Sequence, residues 1–107
     1  MTELEAYRRE IDAIDGELTR LFLRRMEVTG RVGAYKQAHG LPVLDAAREK
    51  DVLARKAELA EGQAAKADVT ALYETILGLS RRQQRKLVTE AGDEGYARIR
   101  AALAGAR

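Results

Sequence analysis

Apolar side chains recur along the first third of the chain at alternating steps of three and four: Leu4, Tyr7, Ile11, Ile14, Leu18, Leu21, Val28, Val32 and Tyr35. A helix puts residues at that spacing on one side, so the stripe predicts one long amphipathic helix from about residue 3 to about residue 38. A helix of ~35 residues is about 52 Å long. Gly40 offers a C-terminal cap, and Pro42, the one proline of the chain, stops any continuation. Two shorter helices cannot bury a stripe of that length compactly within one small chain. The pattern therefore predicts an intertwined homodimer in which two long helices pack antiparallel. A plain antiparallel coiled coil, with no ligand site, satisfies the same spacing.

The remainder also reads as helix. Asp45 can cap a second helix, with Glu49 in its first turn suited to the helix dipole, and the helix is expected to end near Leu59 or Ala60. "EGQAAKAD" reads as a loop whose Asp68 caps a third helix carrying Leu72, Tyr73, Ile76, Leu79 and Leu87, ending near residue 88. "EAGDEG" is expected to break it, and "YARIRAALAGAR" places Tyr96, Ile99 and Leu103 on one face of a short fourth helix. The expectation is an all-α domain over residues 1–88 and a tail over residues 89–107.

Composition narrows the chemistry. With 107 residues, 46% apolar and 34% charged, the chain suits one folded helical domain. It has no cysteine, which removes disulfides and thiolate nucleophiles, and its one histidine, His39, cannot build a metal cluster alone. No metal or cofactor is expected. The charged opening "MTELEAYRRE" has no apolar signal core and no apolar run reaches membrane length, so a cytoplasmic protein without a membrane partner is expected. A net charge of +2, interspersed with acids, argues weakly for nucleic acid.

Several residues break the apolar pattern. Arg25 occupies a slot of the stripe, seven after Leu18 and seven before Val32. Buried charge needs a compensating partner, so either a structural ion pair or a ligand is implied. Lys36 follows eleven residues later, nearly a whole number of turns, on almost the same face and about 16 Å along the axis. Arg8 flanks the same stripe but stands about 42 Å from Lys36 on a straight helix, so only the Arg8 of an antiparallel partner could share its pocket. Ser80 and Gln84 form a polar pair beside Ile76 and Leu77, either solvated or capping a pocket. Gly33 and Gly78 sit inside helices at roughly 1 kcal/mol each against alanine, which close helix approach or room for a ligand would explain. Asp45, Arg48 and Glu49 share one face of the second helix, either as a salt-bridged first turn or as part of a site.

In order along the chain, "YRREIDAIDGELTRLFLRRMEVTGRVGAYK", "PVLDAAREKDVL" and "LYETILGLSRRQQ" resemble the all-helical (AroQ class, type II) chorismate mutases over about residues 4 to 88. The "R-x-x-I-D-x-I-D" opening, the "RR" pair and the "D-x-x-R-E" after proline carry the resemblance together. It implies an intertwined three-helix dimer with two active sites that rearranges chorismate to prephenate, toward phenylalanine and tyrosine. It also implies a pocket built from Arg25, Lys36, Asp45, Arg48, Glu49, Ser80 and Gln84 of one chain and Arg8 of the other. The tail after about residue 88 departs from the family pattern.

Chorismate is a dianion, and its rearrangement is pericyclic. It needs a held geometry and charge stabilisation, not a covalent catalyst. On the resemblance, Arg8, Arg25 and Arg48, assisted by Ser80, take the carboxylates. Lys36 and Gln84 donate to the ether oxygen, Glu49 accepts from the ring hydroxyl, and Asp45 caps its helix. Isochorismate pyruvate lyase is the nearest rival, and a non-catalytic helical dimer or nucleic-acid module using "RRQQRK" is a more distant one. A complex with another shikimate-pathway or prephenate-processing enzyme would fit the same resemblance.

Overall fold

Thr2 opens the first helix. Its hydroxyl accepts the Glu5 N–H at 3.1 Å, and the acidic Glu3 and Glu5 lie in the first turn, where the helix dipole favours them. The helix α1 then runs Glu3–Ala38, as its stripe predicts. It closes in a Schellman motif: Leu41 N–H reaches the Lys36 carbonyl at 2.8 Å and Gly40 N–H that of Gln37 at 3.3 Å. Gly40 supplies the required left-handed conformation, φ 65°. The computed structural model describes the backbone of residues 2–105 and the side-chain surroundings of residues 2–87.

The second helix, α2, spans Ala46–Glu58, with Asp45 as its N-cap accepting Arg48 N–H at 3.0 Å. The third, α3, spans Gln63–Gly105, and here two sequence expectations are corrected. "EGQAAKAD" is not a loop throughout. Gly62, at φ 87°, makes the turn, and Lys66 N–H closes on the Gly62 carbonyl at 3.1 Å, so the alanine-rich stretch is already helical and Asp68 lies inside α3. Lys66 Nζ also donates to the Ala57 carbonyl near the end of α2, at 3.1 Å, which pins the two helices at this corner. "EAGDEG" does not interrupt α3, and among the described residues there is no separate fourth helix. Two glycines cost only about 1 kcal/mol each, and neither removes a backbone donor as proline would. The face expected for Tyr96, Ile99 and Leu103 lies outside the residues whose side chains are described.

Packing runs through α3, which lies against both α1 and α2, while α1 and α2 do not pack on one another. The α1 surface turned to α3 is not the apolar stripe. It is the neighbouring face, where Gly30, Gly33 and Ala34 are buried. Small residues let the helices approach: a Cβ at Gly33 would stand 2.9 Å from Gln84 Cγ. Thr29 Oγ1 donates to Gln83 Oε1 at 2.9 Å, and Gln83 Nε2 to the Met26 carbonyl at 2.8 Å, fixing the register of α1 on α3.

The stripe stays uncovered by its own chain, with Leu4, Tyr7, Ile11, Ile14, Leu18, Leu21, Val28, Val32 and Tyr35 each between 40% and 61% exposed. The buried apolar side chains among the described residues are Ala34, Val52, Leu77 and Leu87. The radius of gyration is 17.2 Å, where a compact domain of this length would have about 13 Å. No helix among the described residues is long and apolar enough to cross a membrane.

Candidate active site

Where the C-terminal half of α1, the start of α2 and the middle of α3 meet, they enclose a half-open cleft of about 300 Å³. Such a volume lies at the small end of ligand pockets. Its walls are Val28, Val32, Val43, Val52 and Leu77; its polar lining includes Arg25, Lys36, Asp45, Arg48, Glu49, Ser80, Arg81 and Gln84. Seven of the eight residues singled out from sequence therefore converge on one cavity. The eighth, Arg8, is exposed on the N-terminal half of α1 and does not line it.

The local folds explain how each side chain arrives. Ser80 and Gln84 are one helical turn apart on α3 and are both 5% exposed. Ser80 Oγ donates back to the Ile76 carbonyl at 3.1 Å and accepts from Arg25 Nη1 at 3.0 Å, so the helix orients the hydroxyl that holds the guanidinium. Lys36 Nζ donates to the Val43 carbonyl at 2.7 Å and to Gln84 Oε1 at 3.5 Å. A lysine only donates, so the Gln84 oxygen must face it, and the amide nitrogen is the group left to serve a ligand. The Schellman turn after α1 and the bend at Val43 thus hold Lys36 in place.

On α2 the Asp45 carboxylate is committed as helix cap, and its neighbour Arg48 stands at the rim with its side chain 65% exposed. Arg48 Nη1 meets Asp51 at 3.4 Å, an exposed pair that a ligand carboxylate could replace at little cost. Glu49 is paired with the guanidinium of Arg81 on α3.

The charge pattern decides what the cleft can hold. Four cations line it against two carboxylates, and both carboxylates are engaged, Asp45 by a backbone N–H and Glu49 by Arg81. Among the described residues, the partners of Arg25 and Lys36 are a hydroxyl, a carbonyl and an amide oxygen, all neutral. Two half-buried cations held by neutral groups leave positive potential that a small anion would compensate.

Sequence reasoning missed Arg81. It lies in "RRQQRK", considered from sequence only as a basic run for nucleic acid, yet Arg81 lines the cleft and Gln83 bonds α1. The signal was available: Leu77, Ser80, Arg81 and Gln84 follow the i, i+3, i+4, i+7 pattern of one helix face.

Fold and site together define an all-helical protein whose three helices present a cationic cleft, with neutral hydrogen-bonding groups, to a small anion. The chain belongs to the type II chorismate mutase family, a family of isomerases: the model described as chorismate mutase type II matches residues 7–85. It is 34% identical over 96 residues to a T-protein of Enterobacter agglomerans, covering 90% of this chain and 24% of that protein. A T-protein of Haemophilus influenzae is 39% identical over 69 residues, 64% of this chain and 18% of that protein. The 4-amino-4-deoxychorismate mutase of Streptomyces venezuelae is 38% identical over 58 residues, 54% of this chain and 56% of that protein. The chain thus spans a quarter or less of the T-proteins and little over half of the third relative. No solved structure matches it.

Proposed function

We propose that the chain catalyses the Claisen rearrangement of chorismate to prephenate, in phenylalanine and tyrosine biosynthesis, without cofactor or covalent intermediate. The observation that carries this reading is the pair of half-buried cations, Arg25 and Lys36, whose partners in the cleft are neutral. It joins the family membership of residues 7–85. In the reaction the ether C–O bond breaks while a C–C bond forms from the enolpyruvyl terminus to the ring. Six electrons move in a cycle, and no proton is transferred. Catalysis reduces to folding the dianion into a reactive chair and stabilising the negative charge that grows on the ether oxygen.

The proposed roles join the family resemblance to the hydrogen bonds of the cleft. Arg25, steadied by Ser80, and Arg48 at the rim each take a carboxylate. Lys36 and the Gln84 amide donate to the ether oxygen. Glu49 accepts from the ring hydroxyl. Asp45 holds the first turn of α2.

The proposed unit is an antiparallel homodimer in which Arg8 of each chain completes the partner's cleft. Its support is the uncovered stripe. Burying nine half-exposed side chains at about 1 kcal/mol each is worth roughly 10 kcal/mol, comparable with the whole stability of a small domain. Residues 1–88 are proposed as the mutase domain and 89–107 as an appended segment, in keeping with a family match that ends at residue 85. The proposed setting is the cytoplasm, and a complex with another enzyme of the pathway belongs to the same proposal.

The test is the loss of chorismate's ultraviolet absorbance with the product identified. Saturable formation of prephenate is expected. Pyruvate release from isochorismate would reassign the cleft to the lyase reaction, and no turnover by a folded dimer would refute the proposal.

A further inference from the structure

We propose that Arg81 sets the specificity of the cleft. By pairing with Glu49 it makes that carboxylate a partner for a neutral ring hydroxyl and a poor one for an ammonium group. The inference rests on the mutase reading and deepens it.

The geometry supports the role. Arg81 Nη1 donates to Glu49 Oε1, joining α3 to α2 across the cleft, with side chains 29% and 21% exposed. The guanidinium lies over Gly78, where its Nη2 would stand 3.6 Å from an added Cβ, an ordinary contact. Partly buried charges at such distances interact far more strongly than exposed ones.

The consequence concerns the ring substituent. An unpaired carboxylate would attract an ammonium group more than a hydroxyl. Here Oε1 already accepts from Arg81, and Oε2 is the oxygen placed to accept from a hydroxyl. An ammonium group at the same ring carbon would meet the Arg81 charge directly beside its acceptor. The substrate that distinguishes the two cases is 4-amino-4-deoxychorismate, which by its name carries an amino group where chorismate has the hydroxyl.

The experiment compares kcat/KM for both substrates in wild type, Arg81→Met and Arg81→Lys, each checked for helical content by circular dichroism. Wild type is expected to prefer chorismate. Arg81→Met is expected to shift the ratio toward the amino substrate by about tenfold or more, while Arg81→Lys, which keeps the charge, retains most of the preference. If Arg81→Met loses its fold, Arg81→Gln removes the same charge and is read in the same way. Equal losses on both substrates would mean that Arg81 contacts a group they share, and would overturn the inference while leaving the mutase reading intact. Wild type acting on neither substrate would overturn the mutase reading, and this inference with it.

Discussion

At Gly33 a single missing methyl group connects packing to chemistry. An added Cβ would stand 2.9 Å from Gln84 Cγ, closer than side chains tolerate, and 3.4 Å from its Cβ, an ordinary contact. Gly33→Ala gains about 1 kcal/mol in helix propensity, against about 1–3 kcal/mol for overpacking. The stability change is therefore expected to be small or a modest loss. The larger effect falls on the Gln84 amide, which must move from its place beside Lys36. We expect kcat for chorismate to drop at least about tenfold, since displacements of an ångström in a positioning group carry costs of that order. Paired kcat and melting measurements check this: a variant with wild-type kcat would show that Gln84 does not need its seat on Gly33. The same pair marks what could be read at this scale. Gly33, Ser80 and Gln84 each stood out in the sequence as a residue that broke its helix's pattern. That Gly33 and Gln84 touch depends on how closely α1 and α3 approach.

Among the elements, α2 shows how a cap serves a site. Asp45 accepts Arg48 N–H at 3.0 Å and so fixes the turn that presents Arg48 and Glu49 to the cleft. Asp45→Ala is expected to cost about 1 kcal/mol and to raise KM, whereas Asp45→Asn, an equally good cap, should keep most of the stability. Thermal melts of the two variants test the distinction. Equal destabilisation by both would mean that the charge matters more than the cap. The C-terminal end of α1 and the cap of α2 were legible because Gly40, Pro42 and Asp45 act through neighbours in sequence; the Thr2 cap was seen only in the structure. The extent of α3 was less so. Asp68 is a good cap by type, but Gly62 with five helix-compatible residues after it starts the helix more than a turn and a half earlier. "EAGDEG" looked like a stop because of its glycines, which weaken a helix without ending it.

For the whole molecule, the proposed dimer makes a prediction that no single chain can meet. Arg8→Ala and Lys36→Ala should each abolish most activity. In a mixed dimer one site carries both lesions and the other neither. An equal mixture that exchanges freely contains half mixed dimers, so about a quarter of wild-type activity should return. Subunit exchange is verified separately by mass or fluorescence. Full exchange with no recovered activity would exclude the shared site.

Helix propensity, the spacing of apolar residues and the capping residues are local properties, so the sequence by itself determined the class of the fold, the bounds of α1 and nearly those of α2. Motif order also pointed to seven side chains that share the cleft. The tertiary structure decided what depends on approach between distant segments. It set the buried Gly30–Gly33–Ala34 face rather than the stripe against α3. It bound Lys36 to Val43 and Gln84, and it paired Arg81 of α3 with Glu49 of α2. A one-dimensional pattern says which side of a helix is apolar. Which neighbour that side meets, and which charges are thereby brought together, is settled only when the helices pack.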